Sequence, residues 1–209
     1  MNLIFDIGAN LGSTVKIFIR KSKKIVAFEP NKLLVNNLKE MFKHDNVIID
    51  TRALSNKVGT KVFNVSNADS LSTFSEDWIH NSRFSNTITW DTQIEVETTT
   101  LDNIIEEYGI PDYVKIDVEG YEYEVLSSLT KFLPDTLFAF EWAEETKDKI
   151  CLILEHVNNL GYRSFGYTEE DKVLFDGEID WVGYEKFLKT VEEFKPERKV
   201  RWGMIYFKK

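Results

Sequence analysis

One cysteine in 209 residues, Cys151, excludes an intramolecular disulfide and any zinc site built from several thiolates. Cysteine this scarce suits a reducing compartment, and a cytoplasmic location is expected. No apolar run approaches transmembrane length, and the N-terminus lacks the basic and apolar pattern of a signal peptide, so no membrane partner is expected. Positive charge is short as well. The 26 Lys and Arg against 35 Asp and Glu leave −9, which disfavours nucleic acid as a partner and favours small neutral or cationic ligands. Internal repeats and low-complexity linkers are absent.

What is present is ordinary globular composition, 43% hydrophobic and 29% charged, enough for one domain over residues 1–209. Its first stretch, Leu3 to Ser13, is an apolar run followed by Gly8, Asn10 and Gly12, which reads as a buried strand turning sharply into a helix. The glycines permit positive φ, Asn10 tolerates it, and Ser13 or Thr14 can cap the helix. That strand starts within two or three residues of Met1, from which we expect a domain excised from a longer polypeptide. Strands at Lys24–Glu29, Val47–Asp50, Asp112–Asp117 and Leu137–Glu141 alternate with helices, among them Thr14–Lys21, Lys32–Lys43, a short one opened by Thr100, and Lys147–Leu160. This rhythm predicts an α/β fold with a mostly parallel sheet, seven-stranded when Tyr162–Thr168 and Val200–Phe207 are added, and helices on both faces. A last helix is predicted over Tyr184–Phe194. Residues 66–90, polar and aromatic, read as a lid-like insertion over a substrate.

Five acids fall at strand ends, where parallel sheets hold their ligands: Asp6, Glu29, Asp50, Asp117 and Glu141. Asp50 lacks a glycine-rich or proline-bounded context and is read as a helix cap. Glu29 follows the turn by about 20 residues, the place from which an acid can accept both ribose hydroxyls of a nucleoside cofactor. A dinucleotide turn needs G-x-G-x-x-G; here Asn10 and Ser13 break the spacing, and Asp6 would repel a pyrophosphate while attracting a cation. S-adenosylmethionine is such a cation, and the D-x-G-x-N-x-G turn with acids at the second and fourth strand ends looks like a class I, Rossmann-like methyltransferase.

Four blocks narrow this: Phe5 to Gly12, Val26 to Asn31, Thr100-Leu101-Asp102, and Val114 to Glu122. Together they resemble the FkbM family of methyltransferases, over roughly residues 3–141. The resemblance implies that Asp6, Gly8 and Asn10, within the turn that Gly12 closes, line the methionine part of the cofactor. It implies that Glu29 holds the ribose, that Arg52, Ala53 and Leu54 flank the adenine, and that Asp117 faces the methionine amino group or the reaction centre. Family members typically methylate hydroxyls of sugars and natural products.

Such a reaction needs a base or a metal for the hydroxyl proton. The candidate catalytic residues are Asp117, Glu141 and His80, with Glu119 and Lys115 as further bases. Asp117 and Glu141 on adjacent strands could instead hold Mg²⁺ or Mn²⁺ through hard oxygen ligands. His44 is expected at a helix end, His156 on the surface and Cys151 in ordinary packing. Trp78, Trp90 and Trp142 would suit a sugar platform, and Tyr121 and Tyr123 the pocket rim. The expected function is methyl transfer from S-adenosylmethionine to a sugar hydroxyl, a deoxyhexose of a glycan or glycoconjugate, with fusion to or cooperation with glycosyltransferase domains. Two alternatives are a natural-product O-methyltransferase and a noncatalytic cofactor-binding subunit. A base methyltransferase is disfavoured because the Asn/Asp-Pro-Pro-aromatic signature does not follow the fourth strand.

Overall fold

The computed structural model describes residues 1–43, 46–68, 70–170, 172–193 and 202–209. In chain order the elements begin with β1 (Leu3–Ile7), α1 (Ser13–Phe18), β2 (Lys24–Phe28), α2 (Lys32–Met41), β3 (Val47–Asp50), β4 (Ala53–Leu54) and β5 (Gly59–Val65). They continue with α3 (Glu76–Asn81), β6 (Thr92–Thr99), α4 (Leu101–Tyr108), β7 (Tyr113–Ile116), α5 (Glu122–Leu126) and β8 (Leu137–Ala143). The chain closes with α6 (Lys147–Leu160), β9 (Ser164–Glu169), β10 (Val182–Gly183), α7 (Tyr184–Glu192) and β11 (Trp202–Lys208). The expected helix end at Phe194, the strand start at Val200 and the reading of His44 lie outside the described residues.

The main sheet has the order β10-β9-β11-β8-β7-β1-β2-β3. β3, β2, β1, β7 and β8 pair in parallel, and β11, β9 and β10 complete the sheet antiparallel. Seven strands are those expected, and the two-residue β10 adds an eighth. β8 runs two residues beyond Glu141 because β11 pairs with it as far as Ala143.

Register divides the sheet into two faces. Phe5, Val26, Val114, Phe138 and Phe207 fall on one, in the larger core beside α4, α5 and α6, where the Phe138 and Phe207 rings stack 4.8 Å apart. The other face begins apolar, with Ile4, Ile25, Tyr113 and Leu137 in one row, and becomes charged toward the carboxyl ends. Asp6 pairs in register with Ala27 and Lys115, and Glu141 with Met204. One face therefore supplies both a core and the floor of a site.

A second, small sheet has the order β4-β6-β5, with Ala53, Phe63 and Val96 as its buried core. Residues 66–90 leave and re-enter this sheet, and they are packed rather than loose. Thr73 bridges to Asn64 and Leu71 is buried, Trp78 of α3 is 2% exposed, and the Trp90 indole N–H donates to the Leu71 carbonyl at 2.6 Å. No described helix is long and apolar enough to cross a membrane.

Candidate active site

The turn after β1 is built from left-handed backbone: φ is 78° at Gly8, 48° at Asn10 and 75° at Gly12. Gly8 and Ala9 both donate their N–H to the Phe28 carbonyl, at 3.1 and 3.0 Å, so the turn folds over the end of β2. Gly12 precedes α1 in the left-handed region with no side-chain cap. Ser13 and Thr14 are thus the first two helical residues rather than the cap expected of one of them.

Glu29, one residue past β2, closes the other side. Its Oε2 accepts the Asn10 N–H and its Oε1 the Asn31 N–H, both at 2.9 Å. Pro30 ends the strand, and Asn31 caps α2 through its Oδ1 on the Leu33 N–H at 3.1 Å. Burial pushes the Glu29 carboxyl up to about 7 against these backbone bonds, with the Asp6 charge adding to the rise.

A cavity of about 430 Å³ opens over this turn. Gly8, Asn10, Glu29, Arg52, Ala53, Leu54, Asp117 and Glu141 all line it. Two of the residues expected around the cofactor do not. Asp6 is fully buried beneath the turn, because its row of the sheet lies one step below the rim, and its Oδ1 sits 3.9 Å from Lys115 Nζ. Gly12 faces Phe42 and Leu38, so its smallness serves packing against α2.

Arg52 follows β3, the outermost of the parallel strands. Asp50 accepts its Nε and backbone N–H at 3.0 and 2.9 Å and the Tyr108 hydroxyl at 3.0 Å, and Glu107 accepts its Nη2 at 2.8 Å. Asp50 caps no helix: it anchors an arginine. Burial raises its carboxyl, yet the Arg52 and Tyr108 bonds outweigh that and hold it below the usual 3.8.

At the opposite end Asp117, Glu119 and Glu141 each place a carboxylate oxygen within 4.8 Å of the others. Lys115, buried, reaches up from the floor to Asp117 Oδ2 at 2.9 Å and to the Gly8 carbonyl at 3.4 Å. Glu119 sits at φ 55°, held there by the Thr73 hydroxyl, which donates to its carbonyl at 2.7 Å. The loop is fastened from below by buried Glu122, whose Oε1 accepts the Val118 and Gly120 N–H groups at 3.0 and 3.3 Å. Burial, then the Asp117 charge, raises the carboxyls of Glu119 and Glu141 well above the usual range, and burial lifts Glu122 to about 7.

His80 is not brought to this site. It lies on the exposed face of α3, 3.6 Å from Glu76, because burying Trp78 turns the histidine outward. His156 is half-buried with Nε2 3.0 Å from the Leu129 carbonyl, and Cys151 is exposed rather than packed. Trp78, Trp90 and Trp142 do not line the cavity; Trp78 lies against Gly120, and Trp142 donates to the Thr168 carbonyl at 3.2 Å. Tyr121 and Tyr123 are also off the wall. The aromatic lining is Phe28, Phe63, Phe74 and Trp202, joined by Ser70 and Ser72. Phe74 comes from the insertion read as a lid, whereas sequence reading missed Phe63 and Trp202 because nothing local distinguishes them from core residues. Glu119 did carry a signal, an acid between the strand-end Asp117 and a glycine.

The residues fit S-adenosylmethionine. The left-handed turn lets Gly8 pack against the Asp117 carbonyl so closely that a Cβ would clash, Glu29, the acid expected to face the ribose, is held by two backbone donors, and acids crowd the end where a sulfonium and an ammonium would lie. A parallel sheet with this turn and this row of acids is a class I, Rossmann-like methyltransferase fold. The chain belongs to the FkbM methyltransferase family: the family model described as "Methyltransferase FkbM domain" matches residues 6–164. S-adenosylmethionine is the cofactor that this membership implies.

Among solved structures, an FkbM methyltransferase from Methylobacillus flagellatus aligns with TM-score 0.54 and 11% identity, over 99% of this chain and 43% of that one. An rRNA methylase from Streptococcus thermophilus aligns with TM-score 0.47 and 11% identity, over 100% of this chain and 86% of that one. This chain thus spans less than half the length of the FkbM structure. No curated protein matches it by sequence.

Proposed function

We propose that the protein is an O-methyltransferase acting on a sugar hydroxyl, with a deoxyhexose of a glycan or glycoconjugate as the acceptor. The carboxylate group Asp117, Glu119 and Glu141 carries this reading. The cofactor supplies an electrophilic methyl carbon. The protein must then fix the acceptor oxygen in line with it and remove a proton from a weakly acidic alcohol. Glu29 orients the ribose. Glu141 takes the hydroxyl proton, since a carboxyl raised by burial and by a neighbouring charge is a stronger base than an exposed one. Asp117, paired with Lys115, holds the cationic end of the cofactor. The acceptor wall, part hydroxyl and part aromatic, supports a ring with polar edges and an apolar face, and the C6 methyl of a deoxyhexose adds to that apolar contact.

The same three carboxylates would suit Mg²⁺ or Mn²⁺ in their oxygen chemistry. The Lys115 ammonium already neutralises part of the Asp117 charge at 2.9 Å, which leaves less negative charge than a dipositive ion needs, though enough with Glu119 and Glu141 for the singly charged groups of the cofactor. We therefore assign proton transfer to Glu141 and expect activity to survive exhaustive EDTA treatment. The decisive experiment incubates the protein with deuteromethyl cofactor and a panel of glycosides and reads the products by mass spectrometry. Glu141→Gln should lower kcat about a hundredfold or more while cofactor Kd stays within threefold. A deuteromethyl group found on none of the glycosides would sink the sugar reading.

A further inference from the structure

We infer that Trp202 is the platform on which the acceptor ring stacks, and that Arg83 and Glu145 hold it in place; the inference rests on the sugar reading above. Trp202 lines the cavity from β11, which lies beyond the residues 6–164 that the family model matches. Register fixes where it stands. Trp202 pairs with Ala143 and Met204 with Glu141, so Trp202 is the diagonal neighbour of Glu141 on the same face of the sheet, one row farther along the strand. A ring stacked on Trp202 has its edge toward Glu141.

The indole is braced. The Arg83 guanidinium carbon lies 5.3 Å from the Trp202 ring centroid and 4.9 Å from that of Phe84. Glu145 accepts Arg83 Nη1 at 2.8 Å and the Arg83 N–H at 3.0 Å, which fixes the guanidinium on the turn that follows β8. A cation held against an aromatic plane by a partly buried ion pair fixes the indole and leaves the ring to work as a wall. An aromatic wall beside carboxylates is the chemistry that recognises a pyranose, with an axial C–H face for the ring and hydroxyls for the acids. The insertion and the last strand, neither of them the source of the cofactor contacts at Gly8, Asn10 and Glu29, would thus set acceptor choice.

The test compares Trp202→Phe, which keeps a ring, with Trp202→Leu, which keeps apolar bulk without one. Acceptors are methyl α-L-rhamnopyranoside, methyl α-L-fucopyranoside and catechol, with deuteromethyl cofactor. For the glycoside that is turned over, Trp202→Leu should raise KM about tenfold with kcat within threefold, and Trp202→Phe should restore KM to within threefold of wild type. Cofactor Kd by calorimetry should be unchanged in both. Arg83→Met should raise KM severalfold in the same sense. A glycoside methylated with the same KM by Trp202→Leu and wild type overturns the platform and spares the sugar reading. Methylation of catechol alone, or of nothing, overturns the sugar reading and the pyranose platform with it.

Discussion

A Cβ on Gly8 would lie 1.8 Å from the carbonyl oxygen of Asp117, at φ 78°, where L side chains are strained. Neither the strand-end carbonyl nor the turn can yield without moving β7 or β1. Gly8→Ala should weaken cofactor binding a hundredfold or more by calorimetry, and an unchanged Kd would contradict the role given to the turn. Lys115 presents the opposite case, a charge that must stay. It stands between Asp6, 3.9 Å away and fully buried, and Asp117 at 2.9 Å. Lys115→Met leaves these carboxylates without their ammonium and should cost about 3–5 kcal/mol in urea unfolding. Adding Asp6→Asn to that variant removes a buried charge and should recover part of the loss. Additive effects would show that the pair is not coupled.

Residues 66–90 join the site through Thr73. Its hydroxyl donates to the Glu119 carbonyl at 2.7 Å and accepts the Ser75 N–H at 2.9 Å, tying the insertion to the loop after β7. Gly120 completes the seam, with Trp78 side-chain atoms 3.1–3.4 Å from where its Cβ would stand. Thr73→Val keeps the shape and removes both bonds, for a cost of about 1–3 kcal/mol. Hydrogen exchange over 66–90 should accelerate, and Glu119, no longer held in its left-handed conformation, should leave the carboxylate group and reduce turnover. Protection equal to wild type would mean that apolar packing alone holds the insertion.

Across the whole molecule, stability without cofactor should fall as pH rises. Glu29 and Glu122 have carboxyls raised from the usual 4.5 to about 7 by burial. Between those two pH values the folded chain binds more protons than the unfolded one, so stability present below pH 4.5 is lost as pH climbs through 7. Each group accounts for roughly 3 kcal/mol. Asp50 works the other way, but its lowered pKa confines its loss to pH below its ordinary 3.8. Glu119 and Glu141, raised in the same direction as Glu29, add to the loss at rising pH, so Tm should drop by at least roughly 10 °C between pH 5 and pH 8, and Glu29→Gln should remove part of that slope. A flat Tm profile would show that Glu29 is ionised without penalty.

Local chemistry made much of this chain legible. The apolar runs, Pro30, the Thr100 cap and the glycines after β1 mark strands, turns and helices, because each acts within a few residues of itself. α6 runs over Lys147–Leu160, as its periodicity predicts. The acids just past β2 and β7 and near the end of β8 likewise announce a cofactor and a reaction, since a parallel sheet delivers its strand ends to one edge. Only the tertiary structure decided which of them touch the cavity. Asp6 and Gly12 belong to the turn by sequence yet lie beneath it and behind it, a matter of which row and which neighbour they meet. His80 was excluded by the burial of Trp78, two residues away. Trp202 became part of the site because β11 returns antiparallel beside β8, a pairing between residues about 60 apart that no local pattern encodes.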